Sequence, residues 1–200
     1  MTDFAQIAAS ELIVGGQKSG KSRRAEMLAA QWLAQSASHR AVLIATARPG
    51  DDEMRQRIKR HQQDRAARVA PLLTVEESLE LAAAIAVHSN ARTLVIVDCL
   101  TLWLTNWLMP DSEFKKNQAE AQHGRAQAAI KSIASGDAGR AAPGPLVWVS
   151  NEIGLGVIPL GRETRAFVDA LGRLNQDVAA VCERVTFMAA GLPIYLKGAP

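Results

Sequence analysis

The chain has 200 residues, of which 48% are hydrophobic and 22% are charged, and its formal net charge at pH 7 is +3. This composition predicts a globular protein with a sizeable core, and the small, interspersed charge favours anionic small molecules over nucleic acid as partners. No apolar run approaches the roughly 18 residues of a membrane span, and residues 1–10 do not resemble an export signal. We therefore expect a cytoplasmic protein whose two cysteines stay reduced.

Short apolar runs alternate with longer amphipathic stretches, as in a parallel sheet covered by helices. Strands are predicted at 11–16, 41–47, 93–99, 146–150 and 184–190, with a further one at 193–197. Helices are predicted at 21–35, 51–65, 76–87, 100–109, 114–134 and 163–181, the segment 111–135 being peripheral and 136–145 a surface loop. The expected architecture is a three-layer α/β fold of the P-loop NTPase type, with a mostly parallel central sheet flanked by helices. After an N-terminal extension at 1–10, residues 11–200 are expected to form a single domain.

The first predicted strand leads into a phosphate-binding loop and then a helix. The pattern G-x-x-x-x-G-K-[ST] is matched residue for residue by Gly15, Gly16, Gln17, Lys18, Ser19, Gly20, Lys21 and Ser22. In such a loop the backbone N–H groups surround phosphate oxygens, Lys21 reaches the β- and γ-phosphates, and the Ser22 hydroxyl can bind Mg²⁺. The alternative, a glycine-rich turn with a chance lysine, does not account for the flanking strand and helix.

The run Leu94-Val95-Ile96-Val97 ends at Asp98, a carboxylate at the same predicted edge of the sheet. Asp98 is a candidate to hold Mg²⁺ through water, and the alternative is an N-cap of the helix that follows. The apolar residues of that helix recur at helical spacing and are interpreted as core: Leu100, Trp103, Leu104, Trp107 and Leu108.

His61 lies in a predicted helix that begins with Asp51 and Asp52. Its spacing from Met54 and Ile58 puts it on the apolar face, where a histidine is usually structural. The helix follows a strand that ends at the edge carrying the phosphate loop, so a neutral imidazole there could instead attack an α-phosphate. The residue pattern alone leaves both interpretations open.

A third polar segment, Asn151 and Glu152, follows a buried strand and precedes a loop with Gly154 and Gly156. This pattern suits a substrate-facing loop in which Glu152 acts as a base or binds the acceptor, and it suits equally a structural turn. Downstream, Arg162, Arg165 and Arg173 fit a solvated helix face better than phosphate contacts.

Several motifs together resemble one enzyme family over nearly the whole chain, from Leu12 to Lys197. They are, in order, GGQKSGKS, IATA with DDEMRQRIKRH, VDCLTLWLTNWL, VSNEIGLGVIP, GRLNQ and GLPIYLK. This sequence is similar to the bifunctional adenosylcobinamide kinase/adenosylcobinamide-phosphate guanylyltransferases of cobalamin biosynthesis.

The resemblance implies two reactions on one nucleotide site. The terminal hydroxyl of adenosylcobinamide takes the γ-phosphoryl group of ATP or GTP, with Lys21 and Mg²⁺ stabilising the transferred group. A histidine then attacks the α-phosphorus of GTP and expels pyrophosphate, and the histidine-GMP passes GMP to adenosylcobinamide phosphate to give adenosylcobinamide-GDP. The family also suggests a homotrimer in which a neighbouring subunit touches the nucleotide.

Residue by residue, the resemblance assigns the guanylylated histidine to His61 and so reverses the structural interpretation. It assigns nucleotide contacts beyond the phosphate loop to Ala45, Thr46, Ala47, Gln62, Gln63, Asp64, Arg65, Glu76 and Asp98. Gln17-Lys18 replaces the usual Ala-Arg and keeps the positive charge. In the family an Arg-Pro pair and then a tryptophan usually follow the histidine, whereas here Arg65 is followed by Ala66 and the altered segment 66–73 has no tryptophan.

Two rival functions make different demands on the sequence. A single-activity P-loop kinase for a small molecule needs the phosphate loop and Asp98 but no nucleophilic histidine. A GTPase-type switch needs a guanine-reading N-K-x-D motif, which the sequence lacks.

Overall fold

The computed structural model describes residues 7–50, 52, 55–56, 59–60, 69, 71–109, 119–140 and 142–199. Within these ranges, the strands are β1 Ser10–Gly15, β2 Arg40–Ala45, β3 Leu72–Glu76, β4 Thr93–Asp98, β5 Leu146–Val149, β6 Arg184–Ala189 and β7 Leu192–Lys197. The helices are α1 Lys21–Gln35, α2 Leu81–His88, α3 Leu100–Leu108, α4 Ala119–Ala134, α5 Asp137–Arg140 and α6 Arg162–Val181.

The strands form one sheet in the order β3-β2-β4-β5-β1-β6-β7. All neighbours are parallel except β6 and β7, which are antiparallel. The central strand β4 is buried almost throughout, because helices cover both faces of the sheet. Val95 and Val97 pack against α2, α3 and α6 on one face, whereas Leu94 and Ile96 pack against α1 on the other. The predicted three-layer α/β fold is confirmed.

Two elements differ from the sequence prediction. The strand β3 was missed, and the helix predicted from residue 76 begins at Leu81 because Glu76 still pairs with Ala45 of β2. The strand predicted at 193–197 is present as β7, and it runs antiparallel to β6 because Ala190 and Gly191 form a two-residue turn in which both φ angles are positive, at 51° and 81°.

The segment between α3 and β5 also departs from expectation. The predicted loop 136–145 contains the short helix α5, in which Arg140 donates to Asp137 at 2.9 Å. The predicted peripheral helix begins, among described residues, at Ala119, and it contributes Ala126 and Ile133 to the buried core. These two side chains make α4 part of the helical layer that packs on the sheet.

The remaining predicted helices agree with the structure. The helix α1 spans the predicted range and α6 starts one residue early. In the predicted helix 51–65, the described residues 52, 55, 56, 59 and 60 are helical. The apolar stripe of α3 is core as predicted, although Leu108 at its end is 39% exposed.

Candidate active site

The phosphate loop joins the end of β1 to the start of α1 at the carboxyl edge of the sheet. Its backbone needs glycine at two points. A Cβ on Gly15 would lie 2.5 Å from the main-chain oxygen of Met188, and Gly20 has a left-handed φ of 102°. The β6–β7 turn also holds the loop, because the Gly191 N–H in that turn donates to the Ser19 carbonyl at 3.0 Å. The neighbouring strand and turn thus fix the loop's shape.

Lys21 is the first residue of α1, and its side chain folds back over the loop. Its ammonium group donates to the carbonyls of Gly15 at 3.0 Å and Gly16 at 2.6 Å, and the residue is only 8% exposed. A positive charge is therefore held at the helix N-terminus, where the helix dipole also favours anions. This arrangement can bind a phosphate group.

Asp98 ends β4 at the same edge as the phosphate loop, with one strand between them. It lies opposite Ala45 of β2 and Val149 of β5, and β5 pairs in turn with β1. Neighbouring strands are about 4.8 Å apart, so Asp98 and the loop are separated by about 10 Å. The N-cap position of α3 is Cys99 and no side chain caps the helix, so the alternative role of Asp98 as a cap is wrong.

The donor set at this edge suits magnesium. The Ser22 hydroxyl and the Asp98 carboxylate are both oxygen donors, and both residues are only partly buried. Mg²⁺ prefers oxygen ligands and commonly takes one or two protein groups together with water and substrate phosphates. These two residues would hold the ion, which would neutralise charge on the phosphates.

Thr46 is fully buried directly after β2, and it ties the ends of two strands together. Its hydroxyl donates to the Cys99 carbonyl at 2.7 Å and accepts from the Cys99 N–H at 2.8 Å, and its own N–H donates to the Asp98 carbonyl at 3.1 Å. Burial, reinforced by the charge of Asp98, raises the pKa of the Cys99 thiol to about 11. The Thr46 side chain is thus engaged in positioning Asp98.

Asn106, which was not predicted as a site residue, supports this edge of the sheet from α3. Its side-chain amide donates to the carbonyl of Thr46 at 2.8 Å and to that of Ser78 at 3.0 Å. Arg48 donates to the Ser78 hydroxyl at 3.0 Å. A polar residue among the apolar positions of α3 was the only sequence signal for this role.

The segment after β5 is attached to the phosphate loop. The Glu152 N–H donates to the Gly15 carbonyl at 3.1 Å, the same carbonyl that Lys21 contacts. Asn151 is held through its main chain, donating to Thr101 Oγ1 at 2.8 Å and accepting from Asn175 Nδ2 at 3.0 Å. The Glu152 carboxylate accepts from the Gly154 N–H at 3.0 Å, so it also stabilises the turn.

The other predicted residues are placed as follows. Ala45 and Ala47 flank Thr46 and are partly buried, and Glu76 is exposed at the end of β3. His61, Gln62, Gln63, Asp64 and Arg65 lie outside the described residues. The exposed helix face predicted for Arg162, Arg165 and Arg173 is observed, although Arg165 also donates to the carbonyls of Pro159 and Leu160 and so anchors the loop to α6.

A mostly parallel sheet with a phosphate loop after its first strand and a carboxylate at the same edge defines a P-loop nucleotide-binding protein. Over residues 11–196 the chain matches the family described as cobinamide kinase / cobinamide phosphate guanyltransferase, and it belongs to that family.

Three curated relatives cover almost the whole chain. It is 46% identical to the bifunctional adenosylcobalamin biosynthesis protein CobP of Pseudomonas aeruginosa, over 95% of this chain and 98% of the relative. It is 33% identical to the bifunctional adenosylcobalamin biosynthesis protein CobU of Escherichia coli and 30% identical to that of Salmonella typhimurium, each over 93% of this chain and 98% of the relative.

Proposed function

We propose that this protein phosphorylates adenosylcobinamide with ATP or GTP and then transfers GMP from GTP to the product, giving adenosylcobinamide-GDP and pyrophosphate. The observation that carries the proposal is the preformed phosphate loop with Lys21 held at its mouth. Membership of the family over residues 11–196 supplies the substrate class.

In the kinase step, the acceptor hydroxyl oxygen attacks the γ-phosphorus. The bond from the γ-phosphorus to the β,γ-bridging oxygen breaks, a nucleoside diphosphate leaves, and the hydroxyl proton is released. Lys21 and the loop N–H groups stabilise the charge on the transferred group. Mg²⁺, held by Ser22 and Asp98, adds further charge neutralisation when bound. We assign Asn151 and Glu152 to the acceptor side, because their segment is bonded to the loop at Gly15.

In the transferase step, a ring nitrogen of His61 attacks the α-phosphorus of GTP and pyrophosphate leaves. A phosphate oxygen of adenosylcobinamide phosphate then attacks the same phosphorus, and the bond to His61 breaks. Gln62 to Arg65, Ala45, Ala47 and Glu76 are proposed to contact the nucleotide. Thr46 would act through the strand ends that it joins.

We further propose that the protein is cytoplasmic and forms a homotrimer. Within the described ranges, no helix is long and apolar enough to cross a membrane. The edge strand β7 exposes Leu192, Ile194 and Leu196, which are 68%, 52% and 63% accessible, and such a strip favours a subunit contact. Sedimentation velocity of the purified protein tests the stoichiometry, and a monomer at all concentrations would contradict it.

The transferase proposal is tested with GTP labelled at the α-phosphate. The wild type, His61→Ala and His88→Ala are incubated with labelled GTP and Mg²⁺, denatured, separated and treated with acid. His88, in the last turn of α2, is the matched control. We expect acid-labile label on the wild type and His88→Ala, and none on His61→Ala. Label that survives in His61→Ala would refute the assignment, and an unlabelled wild type that still phosphorylates cobinamide would leave a single-activity kinase.

The kinase proposal is tested with Lys21→Met, which keeps the aliphatic stem and removes the charge. We expect the rate of cobinamide phosphorylation to fall by about 10²–10³-fold, as for loss of one group that stabilises a transition state. Lys131→Met, at an exposed position in α4, is the control and should leave the rate unchanged. Equal rates for both variants would contradict the role of Lys21.

A further inference from the structure

A groove of about 950 Å³ opens beside the phosphate loop. One wall is the loop from Glu152 to Pro159, the other is α6, and its floor includes Leu12 and Val14 of β1. Sites for small molecules typically enclose about 300–1,000 Å³. The volume is therefore at the large end of that range and suits a bulky ligand.

The loop wall presents apolar side chains to the outside. Leu155 and Ile158 are each 77% exposed, and Val157 is 96% exposed. Adjacent exposed aliphatic residues on one short loop are costly in water and mark a surface that another molecule covers.

The opposite wall carries one buried polar group without a hydrogen-bond partner. Asn175 is only 6% exposed, and its Nδ2 donates to the Asn151 carbonyl at 3.0 Å. This bond orients the amide, and its Oδ1 atom has no partner in the structure. Buried acceptors are normally satisfied, so a ligand that carries an N–H group fits here.

The groove adjoins the phosphate loop through one of its lining residues. Glu152 lines the groove, and its N–H donates to the carbonyl of Gly15, the first residue of the phosphate loop, at 3.1 Å. A molecule in the groove therefore lies next to the loop. An acceptor must approach a phosphate to within about 3–3.5 Å to react.

We propose that this groove binds the corrinoid acceptor. The apolar edge of the macrocycle packs on Leu155, Val157 and Ile158, and one of its peripheral carboxamides donates an N–H to Asn175 Oδ1. The inference rests on the proposed function, because that function supplies a large ligand with both an apolar rim and amide N–H groups. Its phosphoryl-accepting arm points from the groove toward the phosphate loop.

The experiment measures cobinamide binding by equilibrium dialysis, following the absorbance of the corrin. The variants are Leu155→Asp and Val157→Asp, whose high exposure leaves folding unaffected. The control is Val87→Asp in α2, which replaces a valine that is 77% exposed on another part of the surface. We expect each loop variant to raise the dissociation constant at least about tenfold and the control to leave it unchanged. Labelling by GTP in the absence of cobinamide should stay within about twofold of wild type in all variants.

The outcomes separate the two proposals. Failure of the wild type to bind cobinamide would overturn the proposed substrate and the groove assignment together. Wild-type binding with equally tight binding by both loop variants would overturn the groove assignment alone. Sedimentation velocity of each variant completes the test. Loop variants that dissociate into smaller species would show that a second copy of the chain covers the loop, and this result would also overturn the groove assignment.

Discussion

Replacing Thr46 with valine tests whether the Thr46 hydroxyl stabilises the ends of two strands or contacts the nucleotide directly. The Thr46 side chain is fully buried, and its hydroxyl both donates to and accepts from the main chain of Cys99. Valine has nearly the same shape but no hydroxyl. The Cys99 N–H is then left without its partner in the interior, whereas the Cys99 carbonyl still accepts from the Trp103 N–H at 3.1 Å.

The cost follows from that one orphaned group. An unsatisfied buried donor costs about 1–3 kcal/mol, so we expect the free energy of unfolding to fall by about 2 kcal/mol. For a chain of this size each kcal/mol lowers Tm by about 2–4 °C, which gives a shift of about 4–8 °C. Because Cys99 follows Asp98, kcat of the kinase reaction should fall more than the affinity for the nucleotide does.

The matched control is Thr105→Val in the adjacent helix. The Thr105 hydroxyl donates to the Thr101 carbonyl at 2.9 Å, an acceptor within the same helix, so its loss should change stability by less than about 0.5 kcal/mol. Urea unfolding and calorimetry of both variants provide the comparison. Equal free energies of unfolding for the two variants would refute the structural role of the Thr46 hydroxyl. A Thr46→Val protein with wild-type stability and weakened nucleotide binding would instead support a direct contact with the nucleotide.

Three further substitutions test how residues at and around the site contribute to the stability of the fold. Gly15→Ala should lower the free energy of unfolding by about 1–3 kcal/mol, because the added Cβ would overlap a main-chain oxygen of β6. A Cβ at Gly16 would meet nothing within 4 Å, so Gly16→Ala is the control and should leave Tm unchanged. Similar Tm values for the two variants would contradict this prediction. Glu11→Gln breaks buried ion pairs with two arginines and should lower the free energy of unfolding by about 3–5 kcal/mol. Asp137→Asn, which breaks an exposed ion pair, is the control and should change it little. Urea unfolding of both variants provides the comparison. Burial raises the pKa of Cys99 from 9.0 to about 11. The buried neutral thiol therefore contributes fully to the free energy of unfolding below pH 9, and this contribution is lost as the pH rises to about 11. The fall in unfolding free energy between pH 9 and 11 should therefore be smaller in Cys99→Ala, and parallel curves would exclude this role.

The central sheet and the phosphate loop could be predicted because their signals are local. A run such as Leu94 to Val97 is apolar at every position because both faces of β4 are covered. The phosphate loop likewise has a fixed spacing of glycines and lysine. The edge strand β3 lacks this signal, since it is covered less completely and its Leu73 is 56% exposed. Tertiary position, not propensity, decides that it is a strand.

The bracing of the site could not be predicted because it depends on contacts between distant segments. Asn106 joins the residue after β2 to the loop before α2, and Asn175 holds Asn151, the second residue after β5. Neither belongs to a motif with a mechanism of its own. Their roles become visible only when the strand ends meet at one edge of the sheet.

The order of the two proposed reactions gives the acceptor groove a specific advantage. The product of the kinase step is the acceptor of the transferase step, so the corrinoid carries the same apolar rim and carboxamides in both. A groove that recognises those features, and not the reacting end, can hold the molecule through both steps. Glu152, which lines the groove and is bonded to Gly15, fixes the groove relative to the phosphate loop. Substitutions on the groove's apolar wall should therefore weaken the acceptor's apparent affinity in both reactions by the same factor, and an effect on only one would mean that the two steps use different acceptor sites.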